Sequence, residues 1–302
     1  MNQMPGFGTG GSSVIGQRRH IIDMAKEVER RGFALISCPS AGDCVAMSQS
    51  ILEATRSIKV MAAVQPIYHR VPVSLAETGA HLHELSEGRF LLGIGVSHGR
   101  SHQVYHVQPG QPLEDSRAYV AEMRAAVDWT GPQAPIIMAA LRDKMFNLAV
   151  EIADGVFMSR ACRAYLAKQL ACVPAERRNA GFFIGNAVPT VIDDDPQIAL
   201  NVMRQSQAFY VGLANYRNYW RSAGYVEEMD AVEAALARGE DDRIPALLSE
   251  EWLRNITLFG TPSTVREGIE AYFDIGVFPV ISPVLREESP WAHYEAVFAL
   301  YD

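Results

Sequence analysis

Apolar positions along the chain fall into two alternating patterns. Residues 17–31 place Ile21, Met24, Ala25 and Val28 at i, i+3, i+4 and i+7, the spacing of one helix face. Gly32 closes that helix, and Phe33-Ala34-Leu35-Ile36 follows as a short buried strand stopped by the turn Cys38-Pro39-Ser40-Ala41-Gly42. The couplet then recurs. A helix over 44–56 precedes a strand from Ile58 to Val64, and a helix opened by Pro72 and running to about Glu84 precedes a strand over 90–96. After a long connection at 97–111, a helix from Leu113 to Asp128 leads to a strand from Pro135 to Ala139. Met145, Leu148, Ala149 and Ile152 mark the next helix face, before a strand from Val156 to Ser159. A helix from Ala161 to Leu170 and an apolar run from Gly181 to Val188 complete the seventh step.

With a short first strand near Gly6 to Gly8 and a last one from Val277 to Ile281, eight strands alternate with helices. Such alternation predicts a parallel sheet, and eight strands predict its closure as an α/β (β/α)8 TIM barrel. Residues 195–256 break the rhythm as two or three successive helices, a helical insertion after the seventh strand within one domain spanning 1–302. Its aromatic group, Phe209, Tyr210, Tyr216, Tyr219, Trp220 and Tyr225, suits a core stripe, an apolar substrate pocket or a subunit interface. Thr257 to Gly260 reads as the approach to a helix capped by Ser263 or Thr264.

Composition narrows the picture only at its edges. The chain is 48% hydrophobic and 21% charged with a net charge of -8, an ordinary globular balance that speaks against a dedicated nucleic-acid binder. No run of 18 apolar residues predicts a membrane span, and Met1 to Ser13 lacks a basic-then-apolar leader, so a cytoplasmic protein is expected. The four cysteines, Cys38, Cys44, Cys162 and Cys172, form no C-x-x-C pair and no zinc-ligand spacing, which leaves structural thiols in a reducing compartment and no metal.

Chemistry is expected where strands end, because barrel enzymes carry their sites at the carboxyl ends. The six apolar residues Phe90 to Gly95 stop abruptly at Ser97-His98, which makes that pair a candidate contact. Gly93-x-Gly95-x-x-x-Gly99 is one residue too long for a dinucleotide fingerprint, and no helix is expected after it. Gly93 and Gly95 instead let a neighbouring strand or a flat ligand come close. Ala139-Ala140-Leu141-Arg142-Asp143-Lys144-Met145 runs from a strand end into a helix with two cations at the join, either a phosphate site or a solvated basic turn. His102 and His106 read as solvated, His81 and His83 as cations at a helix C-terminus, and Arg89 as a stabilising residue at the amino end of its strand. No G-x-S-x-G elbow, P-loop or H-E-x-x-H occurs, so a bound cofactor is expected to supply the reactivity.

Leu85-Ser86-Glu87-Gly88-Arg89-Phe90-Leu91-Leu92-Gly93-Ile94-Gly95-Val96 resembles the L-S-x-G-R-F-x-L-G-x-G signature of the bacterial luciferase-like monooxygenase superfamily. Ala139 to Val156 is similar to that superfamily's phosphate loop, helix and A-D-G strand entry, and Phe259 to Val277 to its G-T-P-x-x-V…G-V step. The superfamily is a (β/α)8 barrel using FMN or the deazaflavin coenzyme F420. Gly95-Val96-Ser97-His98, Ile67-Tyr68 and Leu213-Ala214-Asn215-Tyr216 resemble a branch of F420-dependent oxidoreductases, which favours F420 over FMN.

Carried over by position, the resemblance implies that the cofactor phosphate meets Ser97, His98, Arg142, Lys144 and Met145. The ring lies over Ala62, Ala63 and Val64, with a cis peptide bond near Ala63-Val64, and is flanked by Pro39 and Ser40. One departure stands out. Where F420-using dehydrogenases place an acid or histidine after the second strand, this chain reads Ser37-Cys38-Pro39-Ser40-Ala41-Gly42-Asp43, and His69 and His98 are the candidate replacements for the proton-transfer group. The expectation is hydride transfer between F420 and a small organic substrate, in a homodimer served by a reductase that supplies reduced cofactor. The alternatives are a reduced-FMN monooxygenase and a non-catalytic family member acting as a binding partner.

Overall fold

Short apolar runs closed by glycine or proline become strands because neither face of such a run can be left in water. The structure is a computed structural model that describes residues 3–10, 16–284 and 290–302. The chain forms two compact units, one holding residues 1–158 and 173–185, the other 159–172 and 186–302.

The first unit carries β1 (Gly6–Gly8), β2 (Leu35–Cys38), β3 (Lys59–Pro66), β4 (Phe90–Gly95), β5 (Ile136–Ala139) and β6 (Gly155–Ser159, its last residue in the second unit). They pair in parallel in sequence order, with Phe7 beside Ile36, Ile36 beside Val60, Val60 beside Phe90, Leu92 beside Ile136 and Ile137 beside Gly155. The helix Arg18–Arg30 buries Ile21, Met24, Ala25 and Val28, the stripe its periodicity predicts. The next helix, Cys44–Ala54, starts where the Asp43 carboxylate accepts the N–H groups of Val45 and Ala46.

Two side chains fasten the amino end of this sheet. Arg89 donates to the carbonyls of Ser86, Ile58, Leu52 and Thr55 and to Thr55 Oγ1, at 3.1–3.5 Å, the stabilising post expected of it. Glu29 reaches from the first helix to the start of β3, where it accepts the N–H groups of Arg56, Ser57 and Ile58 at 2.6–3.0 Å. His83 does not serve the C-terminus of its own helix. Its Nδ1–H donates to the Phe90 carbonyl at 2.9 Å, because Gly88 at φ 83 folds the chain back beneath the ring.

The second unit holds β7 (Phe183–Ile192) from Asn186 onward, β8 (Leu258–Gly260) and β9 (Phe278–Pro283), in the order β9-β7-β8. Thus Leu258–Gly260, expected as the approach to a helix, is a strand, pairing in parallel with Thr190–Ile192. The fold is a parallel (β/α)8 barrel with one strand beyond the eight.

The insertion after β7 contains more helices than expected: Pro196–Ser206, Ala208–Val211, Ala214–Ser222, Val226–Ala237, Ile244–Leu247 and Glu250–Ile256. Its core is aromatic. Trp220 and Trp252 are both fully buried, with ring centroids 4.8 Å apart and planes at 89°. Tyr219 and Trp220 are core residues, whereas Phe209 is 46% exposed, so the aromatic group divides between core and surface.

Candidate functional site

The carboxyl ends of β3 and β4 are shaped by an unusually close approach of backbone. Ala63–Val64 is a cis peptide bond, at the position the resemblance implied. The β3–β4 register shifts between Ala62 and Gln65. A Cβ on Gly93 would sit 2.0 Å from the Ala62 carbonyl oxygen and 2.9 Å from a Val64 methyl, and one on Gly95 would sit 2.9 Å from the other Val64 methyl and from the Ala139 Cβ. The two glycines therefore exist for strand packing around Val64, and only a residue without a side chain fits. Ala62 is fully buried, while Ala63 and Val64 keep part of their surface.

Beyond β4 the chain turns at Ser97, a non-glycine residue at φ 61. His98 follows in extended conformation, half-buried, and its carbonyl accepts the N–H groups of Ser101 and His102. Residues 97–111 are not continuous loop as expected: Gly99–Val104 is a short helix. It carries His102, and His106 follows its end. His102 is not simply solvated, since its Nε2–H donates to the Val96 carbonyl at 2.8 Å and its ring meets Tyr68 edge-on at 5.5 Å. His106 is exposed, at φ 52.

His69, in the turn after β3, stacks on Tyr105 with centroids 3.8 Å apart and planes 20° apart. Its Nε2 is buried and has no hydrogen-bond partner among the described residues. Burial, and secondarily the nearby His102, holds its pKa below the ordinary histidine value. Next to it, Tyr68 donates to Asp115 Oδ2 at 2.7 Å. Burial and then that carboxylate push the tyrosine's pKa up, so it stays a neutral hydroxyl.

Arg142 precedes the helix Asp143–Ile152 and Lys144 lies in its first turn; both are exposed, with no carboxylate in salt-bridge range among the described residues. Met145 is half-buried beside them. Two cations at the positive end of a ten-residue helix suit a phosphate. Pro39 is half-buried and Ser40 exposed at the end of β2. The residues that stand where an acid or histidine was sought offer no substitute. Asp43 caps a helix and pairs with Arg70 at 2.8 Å, while burial pushes the Cys38 and Cys44 thiols up to about 12. Among the described residues no His, Cys, Asp and Glu group could hold a metal ion.

All the predicted site residues thus lie in the first unit, at strand ends, in the turns after them or in the first turn of the following helix. Tyr105 and the Tyr68–Asp115 pair went unrecognised. Their partners are 36 to 47 residues apart in sequence, and no local pattern marks them.

A model of the luciferase-like monooxygenase family matches residues 4–278. The chain is similar to 5,10-methylenetetrahydromethanopterin reductase of Archaeoglobus fulgidus, 26% identical over 257 residues that cover 76% of this chain and 77% of the relative. Among solved structures it resembles the coenzyme F420 dependent tetrahydromethanopterin reductase from Methanopyrus kandleri, with a TM-score of 0.76, 18% identity, and coverage of 98% and 97% of the two chains. It also resembles the oxygenating constituent of 3,6-diketocamphane monooxygenase from Pseudomonas putida in complex with FMN, with a TM-score of 0.69, 15% identity, and coverage of 100% and 97%.

Proposed function

Since the chain belongs to the luciferase-like monooxygenase family and is an oxidoreductase of that kind, we propose that it transfers hydride between coenzyme F420 and a small organic substrate. The observation that carries the reading is the pair Arg142 and Lys144, two exposed cations with no carboxylate in salt-bridge range among the described residues, at the N-terminus of the helix that follows β5. That donor set fits the phosphate of a deazaflavin or flavin. One relative is named a 5,10-methylenetetrahydromethanopterin reductase and one similar structure a coenzyme F420 dependent tetrahydromethanopterin reductase, which favours the deazaflavin.

When bound, F420 supplies a two-electron hydride donor or acceptor. This chain's residues do the rest. Ser97 and His98 would join the two cations in holding the phosphate side, and Met145 would pack beside them. Ala62, Ala63 and Val64 would give the ring an apolar floor, and Pro39 and Ser40 would border it. His69 is the proton-transfer group. As a neutral imidazole it takes the proton released from a substrate hydroxyl in the oxidative direction and returns it in the reductive one. Stacking on Tyr105 fixes the ring plane, so Nε2 stays in place.

Titration of purified protein with F420 and, separately, with FMN tests the reading. Wild type is expected to bind F420 at micromolar concentration. Arg142→Ala/Lys144→Ala and Ser97→Ala/His98→Ala are each expected to weaken binding at least about tenfold, about 1.4 kcal/mol, with melting temperature unchanged. Binding of FMN alone would move the protein to the monooxygenase reading. A folded protein that binds neither would leave the non-catalytic one.

A further inference from the structure

The residue after β6 is built into the second unit with unusual care. Arg160 has a left-handed backbone, φ 57. Its N–H donates to the Ala187 carbonyl at 3.0 Å, its carbonyl accepts the Trp220 indole N–H at 3.3 Å, and the next N–H, of Ala161, donates to buried Asn186 Oδ1 at 3.2 Å. These bonds hold the backbone in a conformation that non-glycine residues seldom adopt.

The guanidinium is held as firmly. Nε donates to Gln207 Oε1 at 2.9 Å, Nη1 donates to Ser159 Oγ at 2.9 Å, and the Tyr210 ring lies 3.3 Å beneath the central carbon. Gln207 is itself fully buried and locked by a bond from its Nε2 to Ser206 Oγ at 2.8 Å. Each partner is neutral. Among the described residues no carboxylate lies in salt-bridge range of Arg160, although the same unit pairs Arg217 with Glu233 and Arg221 with Asp230 and Glu233. Gln207 and Ser159 occupy two of the five guanidinium N–H groups, which leaves three, both on Nη2 included.

A half-buried cation with only neutral partners among the described residues has given up water without a counter-charge from them. Its geometry is also preorganised, so an incoming oxyanion would meet a fixed fork and order nothing further. Apolar surface stands beside it. Tyr210 continues into an aromatic series through Phe209 at 5.2 Å and Tyr216 at 5.2 Å.

We propose that Arg160 anchors a binding site for an organic oxyanion, a carboxylate or phosphate carried on an apolar or aromatic body. That this ligand is the enzyme's substrate rests on the oxidoreductase reading above; the anion site itself does not. The position agrees with such a role, because Arg160 follows the last residue of a strand, the end at which barrel enzymes recognise substrates.

Calorimetric titration of cofactor-free protein with benzoate and with phenyl phosphate tests the site and separates the two anion types. Wild type is expected to bind at least one of them at millimolar concentration or tighter. Arg160→Met is expected to lose that binding at least about tenfold. Arg160→Lys should lose part of it, since an ammonium lacks the planar fork. Benzamide, the neutral analogue, should bind wild type and Arg160→Met alike. If Arg160→Met melts early, Arg160→Gln, which keeps hydrogen bonding to Ser159, takes its place. Equal anion affinity in wild type and variant would overturn the site, as would binding of neither anion by wild type. F420 titrated into the same variants keeps the two readings apart. Unchanged F420 affinity supports a separate anion site, and a variant that loses F420 while retaining the anions overturns it.

Discussion

A single missing methyl group decides how β3 meets β4. At Gly93 any Cβ would overlap the Ala62 carbonyl oxygen, a backbone atom that cannot rotate away. Gly88 presents the opposite case: its φ of 83 strains any side chain, but the nearest atoms, on the His83 ring, are 3.8 Å off. Gly93→Ala is therefore expected to cost more than Gly88→Ala. We expect about 3 kcal/mol against about 1 kcal/mol, measured by urea unfolding, because overpacking against backbone must displace a strand whereas a left-handed alanine costs only its own torsion. Equal losses would show that the approach of β3 to β4 is softer than it looks.

At the level of elements, the helix–strand couplets are joined by long-range polar ties at their amino ends. Arg89 binds the end of Cys44–Ala54, the residue before β3 and its own turn through five hydrogen bonds. Arg89→Met keeps the stem and removes every donor, leaving carbonyls of Leu52, Thr55 and Ile58 with less to satisfy them. Bonds to a charged donor contribute about 1.5–3 kcal/mol each at most and are not additive, so a loss of about 3 kcal/mol in unfolding free energy is expected. F420 affinity should stay unchanged, because these ties lie at the opposite strand ends from the candidate site. A variant as stable as wild type would remove Arg89 from the stabilising frame.

For the whole molecule, acid stability draws on groups whose pKa values are lowered by folding, His69 and Glu29 among them. His69 is depressed by burial and then by His102, so the unfolded chain takes up its proton first. Its contribution is present above the ordinary histidine value of 6.5 and is lost as pH falls below it. Burial would raise Glu29, but the N–H groups of Ser57, Ile58 and Arg56 outweigh it and hold its pKa down. That contribution is present above the ordinary value of 4.5 and fades as pH falls further. Melting temperature between pH 7 and 3 should therefore decline in two stages. His69→Asn is expected to flatten the upper stage and Glu29→Gln the lower; a profile unchanged by either substitution would deny the assignment.

The sequence by itself determined the order of strands and helices, since the apolar runs Phe90–Gly95 and Ile136–Ala139 and the stripe Ile21, Met24, Ala25, Val28 are local signals that burial merely fulfils. It also marked the ends of β3, β4 and β5 as the candidate working face, because polar residues, glycine and cations interrupt the apolar pattern there. Three-residue β8 and the six-residue helix Gly99–Val104 were too short to show a period, and were missed for that reason. Only the tertiary structure decided which polar residues meet. His69 finds Tyr105, Glu29 finds the start of β3, and Arg160 finds Gln207 and Tyr210 at sequence separations of 27 to 50, contacts that chain topology creates and no spacing encodes. Hydrophobic period is a property of neighbours in sequence. The electrostatic setting of a histidine or an arginine belongs to neighbours in space, and it is there that this chain's chemistry is specified.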